Sequence, residues 1–424
     1  MQNNMIQVDN KKLQVPDEVI IPFIEGDGIG RDITRQALEV IDMAVKKAYN
    51  YSKKIIWQEL LAGDKAFQKL GEHLPEQTIE LFKKYQVGIK GPLTTPVAKG
   101  FRSLNVALRQ KLDLYVCLRP VKGVNAIPAP IQQPDRVDLH IFRENTEDIY
   151  AGIEYEQGTE KNELFKKFIL NKMNENNVRF PDSTAFGVKP ISREGTERLV
   201  RSAIEYSLQK NLPSVTLVHK GNIMKYTEGA FKKWAYQLAE KEFADKIFSN
   251  RKYQTIKSNA GKHSADEARQ KARQEGKIIV KDVIADAFFQ ELLLRPEKYS
   301  VVATMNLNGD YISDMAAAMV GGIGISPGAN INYESGRAIF EATHGTAPGI
   351  AGMGKANPPS FLLSAVMMLN YIGWEQAAGI LRKAIMNQIR KKRVTADLYT
   401  QMHNPDNLVP TGTFMEEIIN NIQV

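Results

Sequence analysis

The stretch 18-EVIIPFIEGDGIGRDITRQALEVIDMAVKKAY-49 decides the fold class. Its first half is an apolar run that breaks at Gly26, Gly28 and Gly30. Its second half repeats apolar residues with helical period, at Ile33, Ala37, Val40, Ile41 and Ala44. A buried strand, a glycine-rich turn and an amphipathic helix in succession predict an α/β architecture. The turn half-matches a dinucleotide fingerprint, but its third glycine is mis-spaced and no strand-end acid follows at the right distance. A tight turn beside a cleft is the better expectation.

The same alternation continues outward from that start. "KKYQVGIKGPLTTP" reads as a helix end, a short strand and a loop. "LDLYVCLRPV", "VDLHIFREN" and "SVTLVHKGNIM" read as strands ending in polar loops. "EGAFKKWAYQLAEKEF" and "KDVIADAFFQELLLRP" read as helices, "YSVVATMNLNGDYISDMAAAMVGG" as strand, loop and helix, and the segment after Pro358 as one or two helices. Residues 148–192 are more polar with short apolar clusters, as expected of an appended subdomain or an oligomer contact. Residues 251–277 mix both charges densely and predict a solvated surface insertion.

At 424 residues, two or more domains are expected. With 43% hydrophobic and 25% charged residues the composition is that of a soluble globular protein. The single cysteine, Cys117, lies in an apolar run and is expected to be inert packing, consistent with a cytoplasmic setting. The N-terminus has no apolar signal-like core, and no stretch is apolar enough to span a membrane. The net charge of +8 admits an anionic partner. The basic residues alternate with acids, which disfavours nucleic acid.

Several residues are placed for chemistry. Arg109, Arg119 and Arg143 stand near strand or helix ends, where guanidinium forks bind carboxylates bidentately. Thr94, Thr95, Ser103 and Asn105 add short donors nearby, so a small ligand with several carboxylates is expected. Asp310 and Asp314 are four apart on a helix, a spacing that puts both carboxylates on one face and suits Mg²⁺ or Mn²⁺. Asp282 and Asp286 form a second such pair. Tyr150 and Lys220 are candidate proton-transfer groups.

Taken in order, "GPLTTP…RSLNVALRQ", "LRPV", "FRENTEDIYAGIE", "LVHKGNIMK", "IADAF", "MNLNGDYISD", "GGIGISPGANI" and "EATHGTAP" resemble the bacterial isocitrate dehydrogenases, within the isocitrate/isopropylmalate family of β-decarboxylating dehydrogenases. The resemblance covers nearly the whole chain. It implies an α/β sandwich without a standard Rossmann domain: a large domain from 1–114 and 323–424, a small domain from 115–147 and 193–322, and a clasp at 148–192 that interlocks a homodimer. It implies that Ser103, Asn105, Arg109, Arg119 and Arg143 hold isocitrate. Asp310 and Asp314 would bind Mg²⁺ or Mn²⁺ with Asp286 of the other subunit. Tyr150 and the other subunit's Lys220 would move protons, giving 2-oxoglutarate and CO₂ as in the tricarboxylic acid cycle. Ser103 and Asn105 are donors where an isopropylmalate or homoisocitrate enzyme would present a different surface, so those substrates are the runners-up. In the bacterial enzymes the serine matching Ser103 is a phosphorylation site, which implies a regulatory kinase as a partner.

The same resemblance assigns 344-HGTAPGIAG-352 to the dinucleotide. His344, Gly345, Thr346, Ala347 and Pro348 would wrap its adenosine part, and Asn357 would contact adenine. Gly349 and Ile350 stand where the NADP enzymes place Lys-Tyr, and Ala396 and Thr400 where they place Tyr and Arg. None of these four matches the charged donors that a 2′-phosphate wants, so NAD is expected over NADP. The basic run Arg390, Lys391, Lys392 and Arg393 is the one route to phosphate binding foreseen.

Overall fold

The computed structural model describes residues 4–95, 103–402 and 408–423. Its strands, in chain order, are β1 (Gln7–Asp9), β2 (Lys12–Gln14), β3 (Glu18–Ile24), β4 (Lys54–Glu59), β5 (Val87–Lys90), β6 (Val116–Lys122), β7 (Asp138–Glu144), β8 (Glu154–Tyr155), β9 (Phe186–Gly187), β10 (Ser214–His219), β11 (Ile247–Ser249), β12 (Ile278–Ile284), β13 (Val301–Thr304), β14 (Pro327–Asn332) and β15 (Arg337–Ala342). Eleven of them form one sheet, in the order β11-β12-β10-β13-β7-β6-β14-β15-β5-β3-β4. Pairing is parallel except at β6–β7, β6–β14 and β14–β15. β5 and β10 are buried at every residue, the pattern of strands covered on both faces.

The opening stretch folds as its pattern dictates. β3 runs through the turn into the helix Gly30–Tyr49, which buries Ile33, Ala37, Val40, Ile41 and Ala44. That helix stops at Asn50, whose φ of 48° is the left-handed conformation that asparagine tolerates. Cys117 is buried in β6, as expected.

Residues 251–277 fall mainly in the helix Asn250–Gln274, kinked at Gly261. It starts on Ser249, whose hydroxyl accepts from the Lys252 N–H, and it buries only Tyr253, Ala265 and Ala272. Residues 148–192 hold the two-stranded ribbon β8–β9 and the helix Glu160–Lys167. Their apolar side chains Ile149, Ile153, Leu164, Phe168, Met173 and Phe180 face solvent in the single chain. One expectation needs correction. Asp282 and Asp286 do not share a helix face: β12 extends to Ile284, and only Asp286 lies on the helix Ala285–Leu294. The β-branched run "IIVKDVI" wins over helical spacing there. Among the described residues no helix is long and apolar enough to cross a membrane.

Candidate active site

The ends of β5, β6, β7 and β15 and the helices Leu104–Lys111 and Asn306–Met319 surround a cavity of about 270 Å³. Ser103, Asn105, Arg109, Arg119, Arg143, Tyr150, Asp310 and Asp314 all line it, although they are spread over more than 200 positions of the chain. Ser103 is the residue before the first turn of its helix, and Arg109 stands in the second turn of that helix. Arg119 and Arg143 come from neighbouring strands. Arg143 lies flat against Gly309, where an added Cβ would stand 2.6 Å from its own Cβ. The glycine in "NLNGD" therefore makes room for the base of the Arg143 side chain.

Two further charges line the cavity that the motif reading did not single out. Lys90 ends β5, and Glu341 lies near the end of β15. Both are almost wholly buried, with Lys90 Nζ 2.7 Å from Glu341. Arg109 donates to the same carboxylate at 3.0 Å, Arg119 stands 3.7 Å away and Asn330 donates at 2.8 Å. Burial alone would raise the Glu341 pKa, but the charges of Lys90, Arg109 and Arg119 together hold it well below the ordinary carboxylate range. One anion thus orders three cations and still leaves an excess of positive charge facing the cavity. Arg109 Nε and Asn105 Oδ1 are buried without a partner among the described residues, as expected of groups aimed at a ligand.

Asp310 and Asp314 sit one helical turn apart on Asn306–Met319, as their spacing predicts. Asp310 accepts from Arg143 and, at 2.6 Å, from the Tyr150 hydroxyl. Burial and the bond to Asp310 push the Tyr150 pKa up to about 12, so the phenol keeps its proton at any working pH. The Asp314 pKa is raised by burial and by the neighbouring Asp310 charge. A divalent cation between these carboxylates would relieve that cost. Mg²⁺ needs only one or two protein carboxylates plus water and substrate oxygens, so the pair fits it. Among the described residues no three His, Cys, Asp or Glu side chains gather as a closed metal site.

Lys220 and Asp286 are absent from the cavity wall. They pair with each other instead, Lys220 Nζ donating to Asp286 at 2.5 Å, with Asp286 mostly exposed. The geometry fits their expected delivery to a second copy of the chain. Behind Lys220 lies a buried network that sequence motifs did not reveal. Its backbone N–H donates to Glu228 at 2.5 Å, and Asn308 donates to the same carboxylate at 3.0 Å. Lys189 bridges Glu228, at 3.1 Å, and Asp148, and Asp148 in turn accepts from the Leu307 N–H at 2.9 Å.

A second pocket of about 370 Å³ is lined by Ile29, Ile323, Gly324, His344, Ile350, Lys355, Ala356, Asn357, Ala396, Asp397 and Thr400. His344 lines both cavities, so they share a wall. Burial lowers the His344 pKa and keeps the ring neutral. Its Nδ1 lies 3.0 Å from the Gly345 carbonyl and must carry the proton. That leaves Nε2 as a buried acceptor without a partner among the described residues, and Asn357 Oδ1 is in the same state. Two orphaned acceptors on one wall fit a ligand with N–H or O–H donors, such as adenosine.

The glycine-rich turn serves this pocket. The Ile29 N–H donates to the Thr346 carbonyl at 2.9 Å, and a Cβ on Gly28 would stand 2.1 Å from that oxygen. Asp27 accepts from the Thr94 N–H at 2.8 Å and so fixes the start of the loop carrying Thr94 and Thr95, neither of which lines a cavity described above. The 344–352 loop is held in turn by Asp32, which accepts from the Gly352 N–H. Ala347 takes a φ of 38°, and Pro348 opens a single 3₁₀ turn that leaves Gly349 exposed and outside the pocket lining. Three residues of the run 390–393 are engaged elsewhere: Arg393 pairs with Glu417, Lys391 donates to Asn421 and Arg390 to Asn387. None of the four lines the pocket.

The family model for isocitrate/isopropylmalate dehydrogenases matches residues 20–418. Among curated relatives, isocitrate dehydrogenase [NADP] of Staphylococcus epidermidis is 57% identical over 411 residues, covering 97% of each chain. Its counterpart from Staphylococcus aureus is 56% identical over the same span. That of Helicobacter pylori is 54% identical, covering 92% of this chain and 91% of its own. The crystal structure of isocitrate dehydrogenase from Methylococcus capsulatus superposes with a TM-score of 0.75 at 33% identity, over 96% of this chain and 99% of that one. The NADP in the relatives' names overturns the expectation of NAD over NADP. That expectation weighed four positions on two segments, whereas Lys355, outside them, also lines the pocket. The chain belongs to the isocitrate/isopropylmalate dehydrogenase family.

Proposed function

We propose that the chain oxidises isocitrate to 2-oxoglutarate and CO₂ with NADP as hydride acceptor and a divalent metal as cofactor. The observation that carries this is the convergence of three arginines and a buried lysine on one cavity beside a pair of carboxylates. A tricarboxylate meets those cations, and Ser103 and Asn105 offer hydrogen bonds that an alkyl group would leave unmet. Asp310 and Asp314, with the partner subunit's Asp286, would hold Mg²⁺ or Mn²⁺. When bound, the metal supplies Lewis-acid polarisation of the substrate's C2 oxygen and the dinucleotide supplies the hydride acceptor.

The remaining work falls to the protein's own side chains. Arg109, Arg119 and Arg143 fix the carboxylates so that C2 faces the shared wall at His344, beyond which His344, Gly345, Thr346, Ala347, Pro348 and Asn357 would seat the adenosine half. The partner subunit's Lys220 takes the hydroxyl proton. Tyr150, a neutral phenol before the step, gives its proton to C3 after decarboxylation and regains one from solvent.

A homodimer follows from this reading, because Lys220 and Asp286 lie outside their own chain's cavity. The exposed apolar side chains of 148–192 support that segment as the clasp. The sheet order supports the domain division, since β6, β7 and β10–β13 lie on one side of the β6–β14 junction and β14, β15 and β3–β5 on the other. Ser103 on the cavity wall suits control by a kinase, since a phosphate there would occupy and repel the substrate's place.

The test is kcat/KM with Mg²⁺ and NADP for isocitrate, homoisocitrate and 3-isopropylmalate. A preference for isocitrate of at least ~100-fold is expected. Turnover of 3-isopropylmalate with none of isocitrate would refute the assignment.

A further inference from the structure

The four positions that carry phosphate donors in NADP enzymes are here Gly349, Ile350, Ala396 and Thr400. Gly349 has left the pocket wall, Ile350 and Ala396 have no polar side-chain atom, and the Thr400 hydroxyl is spent on the Asp397 carbonyl. No residue of the 390–393 run lines the pocket. A 2′-phosphate adds nearly two negative charges and needs a cation. Among the described residues that line this pocket, Lys355 is the one lysine or arginine, beside the neutral His344.

Three features suit Lys355 to that role. Its backbone is clamped from both sides by Thr411, whose N–H donates to Gly354 O at 2.8 Å and whose hydroxyl donates to Ala356 O at 2.6 Å. Its ammonium makes no ion pair or side-chain hydrogen bond among the described residues. It lies two residues before Asn357, whose orphaned Oδ1 marks the same wall as a ligand surface. The one carboxylate among the described residues of that wall, Asp397, accepts from Asn357 Nδ2 at 2.7 Å and from the Thr395 hydroxyl at 2.8 Å.

We propose that Lys355 replaces the missing donors of the 344–352 loop and reads the 2′-phosphate of NADP, setting the dinucleotide specificity of this chain. The inference rests on the NADP reading above, and the experiment separates the two. Calorimetry would compare binding of 2′,5′-adenosine bisphosphate and 5′-AMP to the wild-type protein, Lys355→Gln and Lys355→Arg, alongside kcat/KM for NADP and NAD. The wild type should bind the bisphosphate at least ~10-fold tighter than 5′-AMP, the gain of one charge-assisted contact. Lys355→Gln should lose that margin while its binding of 5′-AMP stays within twofold, with a larger fall in kcat/KM for NADP than for NAD, and Lys355→Arg should recover most of the margin. If the wild type discriminates and Lys355→Gln discriminates equally, another group reads the phosphate and the inference is overturned while the NADP reading stands. If the wild type binds both nucleotides alike and prefers NAD in turnover, both fall.

Discussion

Replacing Lys189 by methionine tests the buried network that joins the two ends of the proposed chemistry. Lys189 lies between Asp148 and Glu228, both with no solvent exposure, and its own side chain is 16% exposed. Methionine keeps the length of the stem and removes the only charge of opposite sign, among the described residues, in contact with both carboxylates. Breaking a buried pair in this way costs about 3–5 kcal/mol. The low end applies here, because each carboxylate keeps other donors: Ile149 and Leu307 N–H on Asp148, Lys220 N–H and Asn308 on Glu228. A loss of about 3 kcal/mol should therefore appear in equilibrium urea unfolding followed by tryptophan fluorescence at fixed protein concentration. Lys189→Arg should recover at least half. The same anions grip the backbone at Lys220 and at Leu307, so kcat should fall with KM for isocitrate nearly unchanged. A loss below about 1 kcal/mol with unaltered kcat would refute the idea that this lysine ties the two segments together.

Tyr150→Phe should lower kcat by ~10²–10⁴, the usual worth of a positioned acid. Since its phenol titrates near 12, the wild-type rate should show no tyrosine limb between pH 7 and 10, and one that vanishes in the phenylalanine variant would contradict the assignment. Ser103→Asp should depress kcat/KM for isocitrate at least ~100-fold without changing Kd for NADP, measured by fluorescence; equal loss for both ligands would point to a folding defect instead. Phe168→Asp, placed on the exposed apolar face of the 148–192 segment, should shift sedimentation from dimer toward monomer and remove activity in proportion. A fully active dimer would exclude that face from the interface.

Much of this site is written locally. Arg109, Arg119 and Arg143 stand out because a guanidinium beside short donors at strand and helix ends has little packing use, and Asp310 and Asp314 because a helix places them on one face. Lys90 and Glu341 are the opposite case. A charge ending an apolar strand looks like the strand's solvent end, and only the β5–β15 pairing, across some 250 residues, turns both inward. The Asp148–Lys189–Glu228 network is invisible for the same reason. Asp282 misled through its spacing, since a period of four carries meaning only once the segment is known to be helical. The expectation of NAD failed differently. It was drawn from four positions alone, whereas Lys355, outside them, also lines the pocket.

The β5–β15 neighbourhood has a temporal consequence. The lining of the substrate cavity begins at Lys90 and ends at Gly345. At ~5–20 residues per second, a ribosome needs roughly 13–50 s to cover that interval. During that time Lys90, Arg109 and Arg119 have been made and Glu341 has not. The nascent chain therefore carries three cations meant for burial with no internal anion to receive them, and its β5 edge is unpaired on the side that β15 will occupy. Nothing short of the nearly complete chain can hold substrate, and the last hundred residues to emerge decide when charge, edge and cavity close together.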